Sequence, residues 1–195
     1  MERNEHYLRI FTWKPIRDVY TDAVQAARND DTFVEIGVCL GNSLCFLFEE
    51  LKHSGKRVKL IGVDPYDFTA PGMGLYQKMG SGDVLHLEAC HNLARQGAFG
   101  CPDVPTQLWR MRSLEAAQLV PDASCGLVYI DGSHTQADVA QDLAAWFPKV
   151  RRGGMFAGHD YEENGVYQAV TAFSVEHNLP PPKTYPCSSW CFRIE

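Results

Sequence analysis

Two kinds of apolar run alternate along the chain. Short runs at 33–36, 58–63, 106–111, 125–130 and 155–157, with an alternating tail at 188–194, read as strands. Between them apolar residues recur at helical spacing. Ile16, Val19, Tyr20 and Ala23 give a buried stripe to a helix from Pro15 to about Ala27, with Pro15 in its first turn. Leu44, Leu47, Phe48 and Leu51 share one face, and a helix over 82–97 turns Val84, Leu87 and Cys90 or His91 inward. Val139, Leu143 and Trp146 line another helix, and Val166, Ala169, Val170 and Phe173 a last one that stops before Pro180. Strands alternating with helices of this length predict an α/β fold, a parallel sheet covered on both faces.

Two stretches lack a clear period. Residues 1–14 are mixed, but Tyr7, Ile10, Phe11 and Trp13 are apolar enough to pack on the body or on a partner. Residues 65–76 are rich in proline, glycine and aromatics and follow a strand, where α/β proteins place ligand contacts. Tyr66, Phe68, Met73 and Tyr76 there form either a lid and substrate wall or a surface loop tucked onto the core.

The stretch 33–43 reads as strand, glycine turn and helix start. Gly37 and Gly41 bracket the turn, Ser43 opens the helix, and a second strand ends at Asp64. This is the first half of a nucleotide-binding unit, with an acid placed to accept hydrogen bonds from a ribose. The spacing is G-x-x-x-G, not the G-x-G-x-x-G of dinucleotide folds, and Glu35 stands just before it. A carboxylate aimed into the turn repels a pyrophosphate and suits a ligand that carries an ammonium group.

Two further clusters carry chemistry. Asp131-Gly-Ser-His134 and Gly158-His159-Asp160-Tyr161 each follow a strand, so both reach one carboxyl-end crevice. Oxygen and imidazole ligands suit magnesium or manganese, and the imidazoles leave iron or zinc open. Plainer roles stand beside these: Asp131 capping a turn or meeting a cofactor amino group, His159 as a hydrogen-bonded structural histidine, His134 as an exposed helix-start residue. Ser133 with Gln136 has capping-box spacing, and Ser113 reads as a helix N-cap.

Glu35-x-Gly37-x-x-x-Gly41-x-Ser43 with Asp64 resembles the first motifs of the class I S-adenosylmethionine-dependent methyltransferases. The phrase D-G-S-H…D-L-x-x-W-x-P…G-G-x-x-x-G-H-D-Y resembles the branch of small metal-dependent O-methyltransferases, catechol-type and macrolide-sugar-type, over residues 30–161. The resemblance implies a Rossmann-like three-layer sandwich with a seven-stranded sheet, mostly parallel, its last strand antiparallel. It implies that Glu35, Gly37, Gly41 and Ser43 line the methionine end of S-adenosylmethionine, with Ser43 on the carboxylate. It implies Asp64 on the ribose and Ser113 against the adenine, with Asp131 also beside the cofactor. Asp131, His159 and Asp160 occupy the places of the metal ligands, magnesium or manganese in the family. His134 occupies the place of the general base, as in the sugar-type enzymes. Histidine at 159, where the family carries a second metal aspartate, is a departure, and it leaves open a softer ion, binding by Asp131 and Asp160 alone, or no metal.

Composition narrows the setting. The chain has 195 residues, 45% hydrophobic and 22% charged, with net charge -6. Its length fits one domain over 1–195, with an N-terminal helical segment at 1–30 and a substrate-side insert at 66–100. The acidic balance argues against a nucleic-acid partner, and Arg110, Arg112, Arg151 and Arg152 read as a solvated face. No apolar run approaches the ~18 residues of a membrane span, and the polar start does not read as a signal peptide. Seven scattered cysteines without C-x-x-C suit reduced thiols and a cytoplasmic setting. The expected activity is methyl transfer to a small hydroxylated acceptor. Metal-independent transfer through His134 and a catalytically silent cofactor-binding protein are the alternatives. The apolar N-terminal segment points to a homodimer.

Overall fold

The computed structural model describes residues 3–12, 15–67, 69 and 74–195, without the side chains of 74–76. Trp13, Phe68, Met73 and the Tyr76 side chain, named above, lie outside the described residues. Seven strands among the described residues form one sheet: β1 (Thr32–Ile36), β2 (Lys59–Val63), β3 (Thr106–Trp109), β4 (Cys125–Ile130), β5 (Val150–Gly158), β6 (Lys183–Tyr185) and β7 (Ser189–Arg193). Their order is β3-β2-β1-β4-β5-β7-β6. The first five run parallel, and β7 is antiparallel to both β5 and β6. The helices are α1 (Asp18–Ala26), α2 (Asn42–Ser54), α3 (Gly74–Met79), α4 (Gly82–Gln96), α5 (Ser113–Leu119), α6 (Gln136–Trp146) and α7 (Asn164–Glu176).

The period of two divides the core between the faces of the sheet. Phe33, Leu60, Leu127, Tyr129 and Met155 point to the face covered by α1 and α2. Val34, Ile61, Val128, Ile130 and Phe156 point to the face covered by α5, α6 and α7. The crossover changes face between β1 and β4, and there the strand order reverses. A crevice opens at such a switch point, beyond the carboxyl ends of the strands. Register keeps those ends level: Gly37 donates its N–H to Val63 (2.9 Å), Asp131 to Ile36 (2.7 Å) and His159 to Ile130 (2.9 Å).

Several local expectations are corrected. α4 buries Leu85, Ala89, Asn92, Leu93 and Gln96, while Val84 and Leu87 are 54% and 66% exposed. The inward face is chosen by polar partners as well as apolar ones: Asn92 donates to the Leu40 carbonyl (3.0 Å) and Gln96 to Glu49 (2.9 Å). The apolar count on the other face could not register that. α1 starts three residues after Pro15, β5 begins at Val150 and not near Met155, and β6 forms where a polar Lys-Thr-Tyr follows the prolines. The unpatterned loop after β2 contains the short α3, and Tyr66 is tucked against Leu85 and Ala89. Thr135, not Ser133, caps α6, accepting from the Asp138 N–H. Tyr7 and Ile10 pack on the body, whereas Phe11 is exposed.

Arg151 is not part of a solvated face. Its Nε and Nη2 meet Asp31 Oδ1 and Oδ2 at 2.6 and 2.7 Å, with the two side chains 11% and 5% exposed. The pair joins the start of β5 to the start of β1. All seven cysteines are free thiols.

Candidate active site and cofactor cavity

The glycine turn is built by steric necessity. Gly37 has φ +88°, and a Cβ there would lie 2.0 Å from the Asp131 carbonyl oxygen. Gly41 has φ +82° and precedes α2 in left-handed geometry. Asp64 stitches the turn to β2. Its Oδ2 accepts from the N–H groups of Val38 and Cys39 (both 2.9 Å), and its Oδ1 from Tyr66 (2.7 Å). Burial raises the Asp64 pKa against the pull of these bonds.

Glu35 lies wholly beneath the turn. It accepts from Tyr20 Oη and Ser43 Oγ, each at 2.6 Å. Burial pushes its carboxyl up to about 8, with the Ser43 and Tyr20 bonds acting the other way. The Ser43 proton is thereby committed to Glu35.

A cavity of about 510 Å³ runs from Gly37 and Cys39 past Asp64, Pro65 and Asp67 to Arg112, Ser113 and Leu114. Asp131, Gly132 and Ser133 and the α6 residues Asp138, Gln141 and Asp142 close the opposite wall. This volume is in the range of small-ligand and cofactor sites. Ser113 is the first residue of α5, with Arg112 in the cap position, so its hydroxyl is free for tertiary contacts. It donates to Asp142 Oδ1 (2.5 Å) and accepts from Trp146 Nε1 (2.8 Å). Sequence reasoning missed Asp67, Arg112, Asp138, Gln141 and Asp142. The available signal was Asp142, an acid beside the buried positions Leu143 and Trp146 of α6.

Beside the Asp131 wall of the cavity the two strand-end clusters meet. His134 Nε2 is 2.8 Å from Asp160 Oδ2. His159 Nδ1 is 3.1 Å from Asp160 Oδ1 and 3.6 Å from Asp131 Oδ1. Ligand atoms of Asp131, His134 and Asp160 all lie within 4.8 Å of one another. Burial pushes the Asp131 carboxyl up to about 7, against the nearby His159 charge. The Asp160 bond raises His134 above the usual imidazole value. Burial works against ionisation of Asp160, yet bonds from His134 and His159 hold it well below the usual carboxylate range. His159 is raised although its burial acts downward, because Asp160 and Asp131 favour its cation. The backbone around the cluster is forced: Asp160, Cys187 and Ser188 all have positive φ (54°, 60° and 67°), and the Tyr161 N–H donates to the Ser188 carbonyl.

The sequence profile of the methyltransferase domain family matches residues 34–161, the stretch that contains the turn, the cavity walls and both clusters. The chain belongs to this family. Membership in the methyltransferase domain family implies S-adenosylmethionine as methyl donor. A comparison with curated proteins found no match. Among solved structures, a structural-genomics protein from Corynebacterium glutamicum aligns with TM-score 0.66 at 13% identity, covering 100% of this chain and 92% of that one. The O-methyltransferase NovP aligns with TM-score 0.66 at 15% identity, over 91% of this chain and 78% of its own. The TDP-rhamnose 3'-O-methyltransferase CalS11 of calicheamicin biosynthesis aligns with TM-score 0.52 at 16% identity, over 90% and 76%. At these identities the likeness is one of fold: a Rossmann-like methyltransferase sandwich. No helix among the described residues is long and apolar enough to cross a membrane.

Proposed function

We propose that this methyltransferase moves the methyl group of S-adenosylmethionine to a hydroxyl of a small molecule, with a divalent metal assisting. The observation that carries the reading is the convergence of Asp131, His134, His159 and Asp160 at the carboxyl ends of β4 and β5, on the Asp131 edge of the cofactor cavity.

The cavity volume of about 510 Å³ supports a cofactor of this class. The bare Gly37 backbone would flank the methionine end, while Glu35, Gly41 and Ser43 stand behind that wall and do not line the cavity. The two oxygens of Asp64 accept three backbone bonds and retain capacity for a ribose hydroxyl. Ser113 stands at the adenine end. Residues 66–100 form the acceptor-side insert of a single domain over 1–195.

The donor set also fits a divalent cation, being two carboxylates and an imidazole within mutual reach. Asp131 and Asp160 would hold it with His159 as the imidazole, its Nδ1 lying 3.6 and 3.1 Å from their Oδ1 atoms, which leaves His134 as the base. A bound divalent metal supplies a lowered pKa and a fixed orientation for the acceptor hydroxyl. His134, its Nε2–H held by Asp160, accepts the hydroxyl proton at Nδ1. The left-handed backbone at Asp160, Cys187 and Ser188 fixes the angle at which Asp160 faces His134.

A second reading is metal-independent transfer by the His134–Asp160 dyad. The 2.8 Å contact favours it, because that bond already orients a base without any ion. One experiment separates the readings. Thermal unfolding is followed with S-adenosylmethionine and its demethylated product, each with magnesium, manganese or EDTA, and methyl transfer is assayed on hydroxylated acceptors. Ligand at ~100 times its dissociation constant adds about 2.7 kcal/mol, a shift of a few degrees at this size. That shift is lost in Asp64→Ala. A further metal-dependent shift lost in Asp131→Ala, and transfer stopped by EDTA, support the metal-assisted reading; transfer indifferent to EDTA replaces it with the dyad. No shift with either nucleotide overturns both.

A further inference from the structure

The cavity wall built by α5, α6 and the residues after β4 is lined by polar side chains, and most are already satisfied. Asp67 is paired with Arg112 (3.1 Å). Asp138 accepts from Ser133 (2.7 Å) and Thr135 (2.8 Å). Glu115 reaches back to the Arg112 N–H. Asp142 differs. It is buried, on a cavity-facing position of α6, and only its Oδ1 is used, by Ser113. Oδ2 has no hydrogen-bond partner among the described residues. An unpaired oxygen of a buried carboxylate, open to a ligand cavity, is placed to take a donor from the ligand.

The Ser113 hydroxyl sets which way Asp142 is used. It accepts from Trp146 Nε1 at 2.8 Å, so its own proton must go to Asp142. One carboxylate oxygen is therefore tied down and the other presented to the cavity. On the cofactor reading Ser113 marks the adenine side, and the donor on offer there is the exocyclic amino group of the purine.

We propose that Asp142, held by Ser113 and Trp146, accepts a hydrogen bond from the 6-amino group of the cofactor adenine and is the residue by which this chain selects adenine over a 6-oxo purine. The assignment rests on the cofactor reading above. Ser113 then acts as a positioning residue for Asp142 and not as the adenine contact itself. Burial pushes the Asp142 carboxyl up to about 6, with the Ser113 bond pulling down, so above that pH the group is the acceptor the amino group needs.

The test is binding calorimetry at pH 7.5 with S-adenosylhomocysteine and its deaminated analogue S-inosylhomocysteine, which presents a 6-oxo acceptor. Wild type prefers the adenine ligand by about 10- to 100-fold, the cost of leaving buried acceptors facing one another. In Asp142→Asn, Ser113 still requires an acceptor, so the amide oxygen takes the Oδ1 place and the NH₂ turns to the cavity. The preference is then abolished or reversed. Asp142→Ser, with no group long enough to reach the purine, serves if the first variant does not fold, and brings the preference below about 10-fold. Adenine-ligand binding with the same preference in either folded variant as in wild type overturns the assignment and leaves the cofactor reading standing. Equal wild-type affinity for the two ligands also overturns it. No wild-type binding of S-adenosylhomocysteine overturns the cofactor reading, and the assignment with it.

Discussion

His134 Nε2 and Asp160 Oδ2 lie 2.8 Å apart although one residue follows β4 and the other β5. The pairing gives the imidazole a carboxylate that orients it, as a base requires. His134→Gln is expected to lower kcat for methyl transfer by about 10²–10⁴ while leaving nucleotide affinity within about twofold. Steady-state kinetics with titration of S-adenosylhomocysteine check both halves. A kcat equal to wild type removes His134 from the mechanism.

Glu35 predicts a pH dependence of stability. Its folded pKa, pushed up to about 8, lies above the ordinary 4.5, so the folded state holds a proton that the unfolded state has released between those values. The stabilising contribution is full below pH 4.5 and declines as pH rises through 8. Glu35→Gln keeps an uncharged side chain of the same shape and should flatten that slope, raising Tm relative to wild type at pH 8.5 but not at pH 4.5. A parallel fall of both proteins across the range would show that Glu35 does not govern the slope.

Gly37 has no room for a side chain. With φ +88° and a Cβ position 2.0 Å from the Asp131 carbonyl oxygen, Gly37→Ala must displace the β4 end as well as strain its own backbone. The expected cost is well above the ~1 kcal/mol of an ordinary misplaced alanine. Urea unfolding measures it, and binding of the demethylated cofactor should weaken in parallel. A variant as stable as wild type would contradict this geometry.

The buried Asp31 carboxylate is held by the partly buried Arg151 through two parallel bonds. Arg151→Met leaves the Asp31 carboxylate uncompensated, and a loss of about 3–5 kcal/mol is expected. Asp31→Asn in the same background should recover part of it, because the stranded charge is removed. Urea midpoints of the single and double variants decide; additive losses would mean the pair is not coupled.

Much of the architecture was legible because it depends on local period. The apolar runs placed β1, β2, β4 and the stripes of α1, α2, α6 and α7. The glycine spacing with Glu35 and Asp64 pointed to the cofactor turn, and strand-end clusters at Asp131 and His159 pointed to one crevice. What period cannot express went unread. α4 turns Asn92 and Gln96 inward because distant partners satisfy them, which outweighs Val84 and Leu87. Arg151 is drawn in from solvent because Asp31 lies across the sheet. Lys183, Thr184 and Tyr185 form a strand only because β7 offers an edge.

The same division runs through the site. Residue types and their distance from a strand end determined that Asp131, His134, His159, Asp160, Asp64 and the glycine turn would share one end of the sheet, since chain direction alone sends them there. Which atoms pair was decided by the tertiary structure. Parallel register brings His134 onto Asp160, α5 packing against α6 turns Ser113 onto Asp142, and the fit of α1 under the turn gives Tyr20 to Glu35. Side-chain hydrogen bonds need placement to within a fraction of an ångström, and only the packed core supplies that.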